Sequence, residues 1–385
     1  AVYALATVGA IAIISAIVAL TKSSCPYVYV NDGETFVFEG ETFGGAIAKN
    51  LEREDYMPLP SLKIDEGNYK IRISNELKER QYTNVLELIV VEQTTEQSGL
   101  LDKKGNPQCI GNLSTPLVAN SSSGENILPL LEEKDSKVHL FNDPGYSKNE
   151  IIMTFQKPLS TPIAKLVLKG KNTLWFDFLF GEFLEKFGGY YANWMQKEAR
   201  SSTDVRMQKI IDNDFPLSVS IMKNGAWQAV DYLLTVGPLA PRDFVIPLDV
   251  SDLSGNEIKI KLETGFMFWE LDYAGVDFDE GKDLKTTVLK PSLAIGTGSK
   301  DWKAALENAD DQYMAQENIG DVTELIFKVP LSLQNQPHTT FLKTQGYYEL
   351  IRDFDGFPEL VQLEKHQLLQ KLFYFLEIYK NQQKQ

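Results

Sequence analysis

Residues 26–38, PYVYVNDGETFVF, and residues 216–230, PLSVSIMKNGAWQAV, decide the reading of this chain. Each opens on a proline and alternates apolar with polar residues around a turn, Asp32-Gly33 in the first and Asn224-Gly225 in the second. Alternation with period two buries one face of a strand, and Asp-Gly or Asn-Gly between two such runs signals a β-hairpin. The same hairpin occurring twice in one chain calls for a comparison of everything around it.

The correspondence runs on. Gly44 and Gly45 face Gly237 and Pro238, and Asp55-Tyr56 meets Asp243-Phe244. EGNYKIRISNE (66–76) meets SGNEIKIKLE (254–263), which pairs Ile71 with Ile258, Ile73 with Ile260 and, further on, Tyr82 with Trp269. An extra loop in the first copy, around 97–112, contains Cys109. Beyond it Pro116 pairs with Pro291, Leu131 with Leu306, Phe155 with Phe327 and Pro158 with Pro330. Because the order holds throughout, we read a duplication. The fold expected is mainly β: two tandem β-sandwich, jelly-roll-like domains at 26–175 and 216–350. A short polar helix is expected within each, at 126–134 and 300–309. Between the copies, 176–215 carry Phe183, Phe187 and Tyr191 every four residues, the spacing of a helical stripe. A C-terminal amphipathic helix is expected within 351–385, with Leu360, Leu363, Leu368 and Leu372 on one side.

The first twenty residues, AVYALATVGAIAIISAIVAL, hold no charge. As a helix they span about 30 Å, the thickness of a bilayer core, so residues 1–21 read as a single transmembrane anchor. The body after it is expected to be extracytoplasmic, in the periplasm or at the cell surface. Over the whole chain, 38 Lys and Arg face 53 Asp and Glu, a formal charge of −15. That balance argues against nucleic acid as a partner, since phosphate binding needs a cationic footprint. Two cysteines and three histidines argue against a disulfide scaffold or a Cys/His zinc site.

No G-x-S-x-G, H-E-x-x-H or C-x-x-C motif occurs, and the sequence offers no catalytic residue to name. Asp277, Asp279 and Asp283 alternate near a glycine, in the manner of oxygen ligands around calcium, or form a solvated acidic turn. Calcium is the one cofactor this pattern brings into view. Trp269 and Tyr273, in GFMFWELDYAGVDF, are candidates to stack on a sugar ring, or else belong to the core. Cys25 has three readings: a lipid attachment site, a disulfide partner of Cys109, or a free thiol.

The stretches CPYVYVNDGETFVFEGE (25–41), GGAIAKNLEREDYMPLP (44–60), SNELKERQYTN (74–84) and GFMFWELDYAGVDF (265–278) resemble an uncharacterised family. Its members are envelope proteins of Bacteroidota-type bacteria, tethered by an N-terminal apolar segment. The resemblance implies an extracytoplasmic bacterial protein, keeps the lipid reading of Cys25 open and brings no catalytic residue with it. The expected function is a non-enzymatic, membrane-anchored accessory or scaffold subunit with integral-membrane protein partners. The alternatives are a carbohydrate-binding module and a hydrolase whose carboxylates meet only in space.

Overall fold

A computed structural model describes residues 26–366 except 147 and 160. The expected anchor, Cys25 and the C-terminal residues 367–385 lie outside the described residues. Among the described residues, no helix is long and apolar enough to cross a membrane.

Four runs of strands form the body. The first run gives β1 (Tyr27–Asn31), β2 (Phe36–Glu41), β3 (Arg53–Pro58), β4 (Asn68–Ser74) and β5 (Glu79–Glu92). A hairpin of β6 (Ser98–Leu101) and β7 (Pro107–Ile110) occupies the extra loop. The second run gives β8 (Leu113–Ser114), β9 (Val118–Ser121), β10 (His139–Leu140), β11 (Lys148–Gln156) and β12 (Ile163–Asn172). Three helices follow, α1 (Leu174–Glu185), α2 (Tyr191–Ala199) and α3 (Thr203–Asp212). The third run gives β13 (Leu217–Lys223), β14 (Ala226–Leu233), β15 (Arg242–Asp249), β16 (Glu257–Gly265) and β17 (Trp269–Asp277). The fourth gives β18 (Thr286–Leu289), β19 (Leu293–Gly296), β20 (Lys300–Asp301), β21 (Met314–Gln316), β22 (Val322–Lys328) and β23 (His338–Leu350), before α4 (Leu360–His366).

The runs combine crosswise. In sandwich I the sheet β2-β1-β4-β22-β19-β20 packs on β18-β5-β23-β3, with β21 also on β5. In sandwich II the sheet β14-β13-β16-β11-β9 packs on β10-β17-β12-β15, with β8 also on β17. Replacing each strand by its sequence counterpart turns one order into the other, β20 excepted. Neither sandwich coincides with one copy: the front half of each copy pairs with the back half of the other. The units are therefore a contiguous sandwich at 113–277 and a split one made of 27–92 and 286–350, in place of 26–175 and 216–350. Alternation fixes the face a strand buries but not which of two equivalent partners it joins.

Register follows the buried faces. Across β1, β4 and β22, Val30, Ile71 and Leu325 lie side by side; across β13, β16 and β11 the same places hold Ile221, Ile260 and Met153. Ile71 thus corresponds to Ile260, two positions beyond the Ile258 that sequence pairing selects. A shift of two leaves every side chain on its face, which makes it invisible to pattern. The helices expected at 126–134 and 300–309 are single 3₁₀ turns, Leu128–Leu130 and Ala304–Leu306. Each delivers one fully buried leucine, Leu131 and Leu306, into its sandwich. Ile127 and Leu128 pack beside Leu131, and Trp302 beside Leu306, but the polar residues that follow have no further apolar turn to bury as a helix.

One irregularity recurs. Gly170 in β12 and Gly346 in β23 both stand at a register shift against β17 and β5. A Cβ at Gly170 would lie 2.6 Å from the Glu270 carbonyl oxygen, and one at Gly346 would lie 2.5 Å from that of Tyr82. Only glycine admits such an approach. The bulged residues opposite, Asp272 and Asn84, turn inward and accept from the backbone N–H of Ser136 (2.7 Å) and Asp310 (3.0 Å). Each bulge thereby ties down the loop that follows its 3₁₀ turn.

The two sandwiches meet through buried polar groups. Arg242 donates to the Asp55 carboxylate at 2.8 Å and to the carbonyl of Glu41. Its counterpart Arg53 donates to the carbonyls of Gly44 (2.6 Å) and Thr235 (2.8 Å). Glu41 accepts from the Leu239 N–H at 2.8 Å. Burial alone would raise the Asp55 carboxyl, but Arg242 and Arg53 outweigh it and hold the group below the usual carboxylate range.

Candidate functional site

The residues singled out by sequence do not assemble into a site. Trp269 is fully buried, its ring N–H donating to the Phe215 carbonyl at 3.0 Å, so it is core and offers no face to a sugar. Tyr273, past the bulge at Asp272, is buried on the other face of the sheet with Ile110, Val167 and Val245, the Lys134 ammonium 5.3 Å from its ring centroid. Asp277 is sealed from solvent, paired with Lys165 at 3.1 Å and accepting from the Gly111 N–H at 2.9 Å. Its charge is already answered, which removes it from a calcium loop. Asp279 accepts from the Asn112 side chain at 3.2 Å, and Asp283 is exposed in the following coil. Among the described residues, no group of three or more His, Cys, Asp or Glu is arranged to hold a metal. Cys109 is buried in β7, its carbonyl accepting from Lys165; its expected partner Cys25 lies outside the described residues.

What the fold does build is a cleft of about 840 Å³ where both sandwiches meet the helices. Gly44 and Gly45 come from the end of sandwich I, and Thr235, Gly237 and Pro238 from the loop before β15. The helical layer supplies the wall. Thr173 caps α1, its hydroxyl accepting from the Phe176 N–H at 3.1 Å and donating to the Met267 carbonyl. From that start Phe176, Phe180 and Phe183 follow one another along the cleft side of α1. Phe183 packs edge-on to Phe187 at 5.3 Å, and Phe187 stacks on Trp194 of α2 at 4.2 Å. At the first turn Phe176 meets Phe215 (5.2 Å) and Phe268 (4.7 Å), locking the layer to sandwich II. Residues Phe187 and Tyr191 pack among Phe43, Tyr347 and Tyr348 of sandwich I. The stripe expected at Phe183, Phe187 and Tyr191 is therefore present, though broken into α1, a 3₁₀ turn at Gly188–Tyr190 and α2.

The C-terminal strap crosses this layer. Gly189 donates to the Gly356 carbonyl at 3.0 Å, Glu359 to the Lys186 carbonyl at 2.9 Å, and Lys186 pairs with Glu359 at 3.3 Å. These contacts bring Leu360 and Leu363 of α4 to the cleft.

One end of the cleft is charged. Lys197 and Glu198 come from α2, and Arg206 and Lys209 from α3, whose start is capped by Ser202 accepting from Val205 at 3.4 Å. Glu198 pairs with Lys209 at 3.1 Å and with Arg206 at 3.4 Å. Burial pulls the Arg206 guanidinium below its ordinary value while Glu198 pulls it back up. The signal available in sequence was the i, i+3 spacing of Arg206 and Lys209. Nothing in sequence placed it opposite Gly44 or Gly237.

No protein-family model matches the chain, and no curated protein matches it. Among solved structures, a GH31 α-xylosidase from Xanthomonas citri aligns at 10% identity and a TM-score of 0.20, covering 77% of this chain and 28% of the xylosidase. A triple jelly-roll turret protein of an archaeal virus aligns at 10% identity and a TM-score of 0.16, covering 79% and 90%. Dimeric latent PorU from Porphyromonas gingivalis aligns at 10% identity and a TM-score of 0.14, covering 68% and 20%.

Proposed function

We propose that this chain is a non-enzymatic accessory or scaffold subunit of a bacterial envelope complex, held to the membrane by its apolar N-terminus. The observation that carries the reading is where exposed apolar surface gathers. Phe178, Tyr190, Val205, Phe357, Leu360 and Val361 all stand out from the helical layer and its strap. Phe357 is 96% exposed, in a segment pinned at both ends and so presented outward. Concentrated apolar surface on one element marks an interaction face more often than scattered surface leucines do. The crosswise sandwiches supply a rigid body behind it, and the apolar first twenty residues supply the tether.

Photo-crosslinking in the native membrane tests this. A photoreactive residue at Phe357 or Val361 is expected to capture an integral-membrane protein, whereas one at Val288, exposed on sandwich I, captures none. Equal capture from both places, or capture from neither, would defeat the reading.

A second reading keeps a specific observation. Tyr82, which stands at the place of Glu270 and not of Trp269 as the sequence pairing has it, stacks on Tyr347 at 4.9 Å with Tyr313 edge-on at 6.1 Å. Tyr313 donates to Glu52 at 2.8 Å, so a half-buried aromatic platform has a carboxylate beside it. Such a platform suits the apolar face of a pyranose. Glycan-array binding that disappears in Tyr82→Ala would support this carbohydrate-binding reading, and an array without signal would remove it.

A further inference from the structure

Arg206 is 6% exposed and lines the aromatic cleft, and among the described residues its side chain makes a single hydrogen bond, 3.4 Å to Glu198. A guanidinium carries five N–H donors, so those that Glu198 does not take are open to an acceptor held in the cleft. The charges around it lean the same way. The cleft holds Lys197, Arg206 and Lys209 against Asp177 and Glu198, a surplus of 3 − 2 = +1, in a chain whose total is −15. Aromatic rings of α1 and α2 line much of the rest, alongside Gly44, Asn213 and Thr235. From this geometry we propose that the cleft binds a single-chain amphiphile with a carboxylate head, a long-chain fatty acid in chemical class. Its carboxylate meets Arg206 and Lys209, and its chain lies along Phe180, Phe183 and Trp194.

The size fits: about 840 Å³ lies within the roughly 300–1,000 Å³ typical of small-molecule sites. The guanidinium fork matches a carboxylate in two parallel bonds, which Glu198 alone does not use. The accessory-subunit reading rests on exposed residues of the same helical layer and strap, of which Tyr190 and Leu360 also border the cleft; a cleft that takes no palmitate leaves the crosslinking test of that reading untouched.

The test uses the full chain, delipidated, with palmitate as probe and Trp194 fluorescence as reporter. Palmitate is expected to bind saturably. Arg206→Met should weaken it about tenfold to a hundredfold, the loss expected for a charge-assisted bond. Binding of cetyl alcohol, which has the chain without the charge, should be unchanged in the same variant. Phe180→Glu should weaken both ligands. Should Arg206→Met fail to fold, Lys209→Met provides the same comparison with a smaller loss. Absence of saturable palmitate binding overturns the proposal, as does an equal loss of both ligands in Arg206→Met or Lys209→Met. Palmitate binding that appears only after removal of residues 367–385 also overturns it, because the cleft then belongs to the chain's own C-terminus.

Discussion

Sandwich I and sandwich II share strand order, the glycine bulge and the buried leucine after each 3₁₀ turn, yet differ in what stands at several equivalent places. Arg242 bonds a carboxylate where Arg53 donates to two carbonyls and adds its charge beside Asp55. Position 272 holds Asp where position 84 holds Asn, and His139 occupies the place of Met314. The backbone architecture tolerates these changes because it rests on apolar alternation and the bulge. The polar groups are free to specialise, and they do so where the two sandwiches touch each other or their loops.

The sharpest way to break the comparison is to remove the arginines. Arg242→Met strands the buried Asp55 carboxylate and is expected to cost about 3–5 kcal/mol. Arg53→Met leaves two carbonyls without a donor and removes the second charge beside Asp55, and should cost less, about 2 kcal/mol. Urea denaturation of the intact variants measures both. Equal losses would mean that the Asp55 pair contributes nothing special to the junction.

Acid should separate the sandwiches next. Burial pushes the His139 imidazole down to about 4, against an ordinary value of 6.5, with Asp143 opposing weakly. Below pH 6.5 the unfolded chain takes up a proton that the folded chain refuses. Stability is therefore full above that pH, falls between 6.5 and about 4, and then levels off. The loss reaches at most about 3 kcal/mol. Asp55 behaves differently: its carboxyl is held low, so its contribution persists through this window and disappears only below about pH 4. His139→Met, which installs the residue of sandwich I, should flatten the profile between pH 6.5 and 4.5. An unchanged slope would show that the imidazole is not the group titrating.

Where the sandwiches agree, matched changes should hurt equally. Gly346→Ala and Gly170→Ala each push a methyl against a backbone carbonyl at 2.5 and 2.6 Å, with an expected cost of about 1–3 kcal/mol apiece. A melting shift in one variant alone would mean that the bulge has become dispensable in the other sandwich.

Much of this was legible in the residues, for identifiable reasons. Alternation located the strands, and Asn224-Gly225, both at positive φ, closes the tight turn expected of it. Phe183, Phe187 and Tyr191 announced the helical layer. The crosswise pairing was not legible, because Phe155 and Phe327 are equally good neighbours for either β4 or β16. Trp269 was ambiguous for a similar reason: an aromatic on a strand looks the same in sequence whether it faces core or solvent. The cleft was out of reach because its walls come from both sandwiches, three helices and the strap. No local pattern records that Gly44 and Arg206 line one space.

The finest test concerns the bulge residues themselves. Asp272 accepts from the Ser136 N–H and also pairs with Lys169 at 2.9 Å, whereas Asn84 accepts from Asp310 and donates to Glu52 at 3.0 Å. Asp272→Asn keeps an acceptor for Ser136 and loses only the charge. Lys169 is 23% exposed but Asp272 only 3%, so water screens the pair in part and the expected cost is about 1 kcal/mol. Hydrogen exchange at Ser136 should stay slow in this variant, since that amide keeps its partner. Fast exchange there, or a loss several times larger, would mean that the carboxylate itself holds the loop. Sandwich II would then depend on a charge that sandwich I does without.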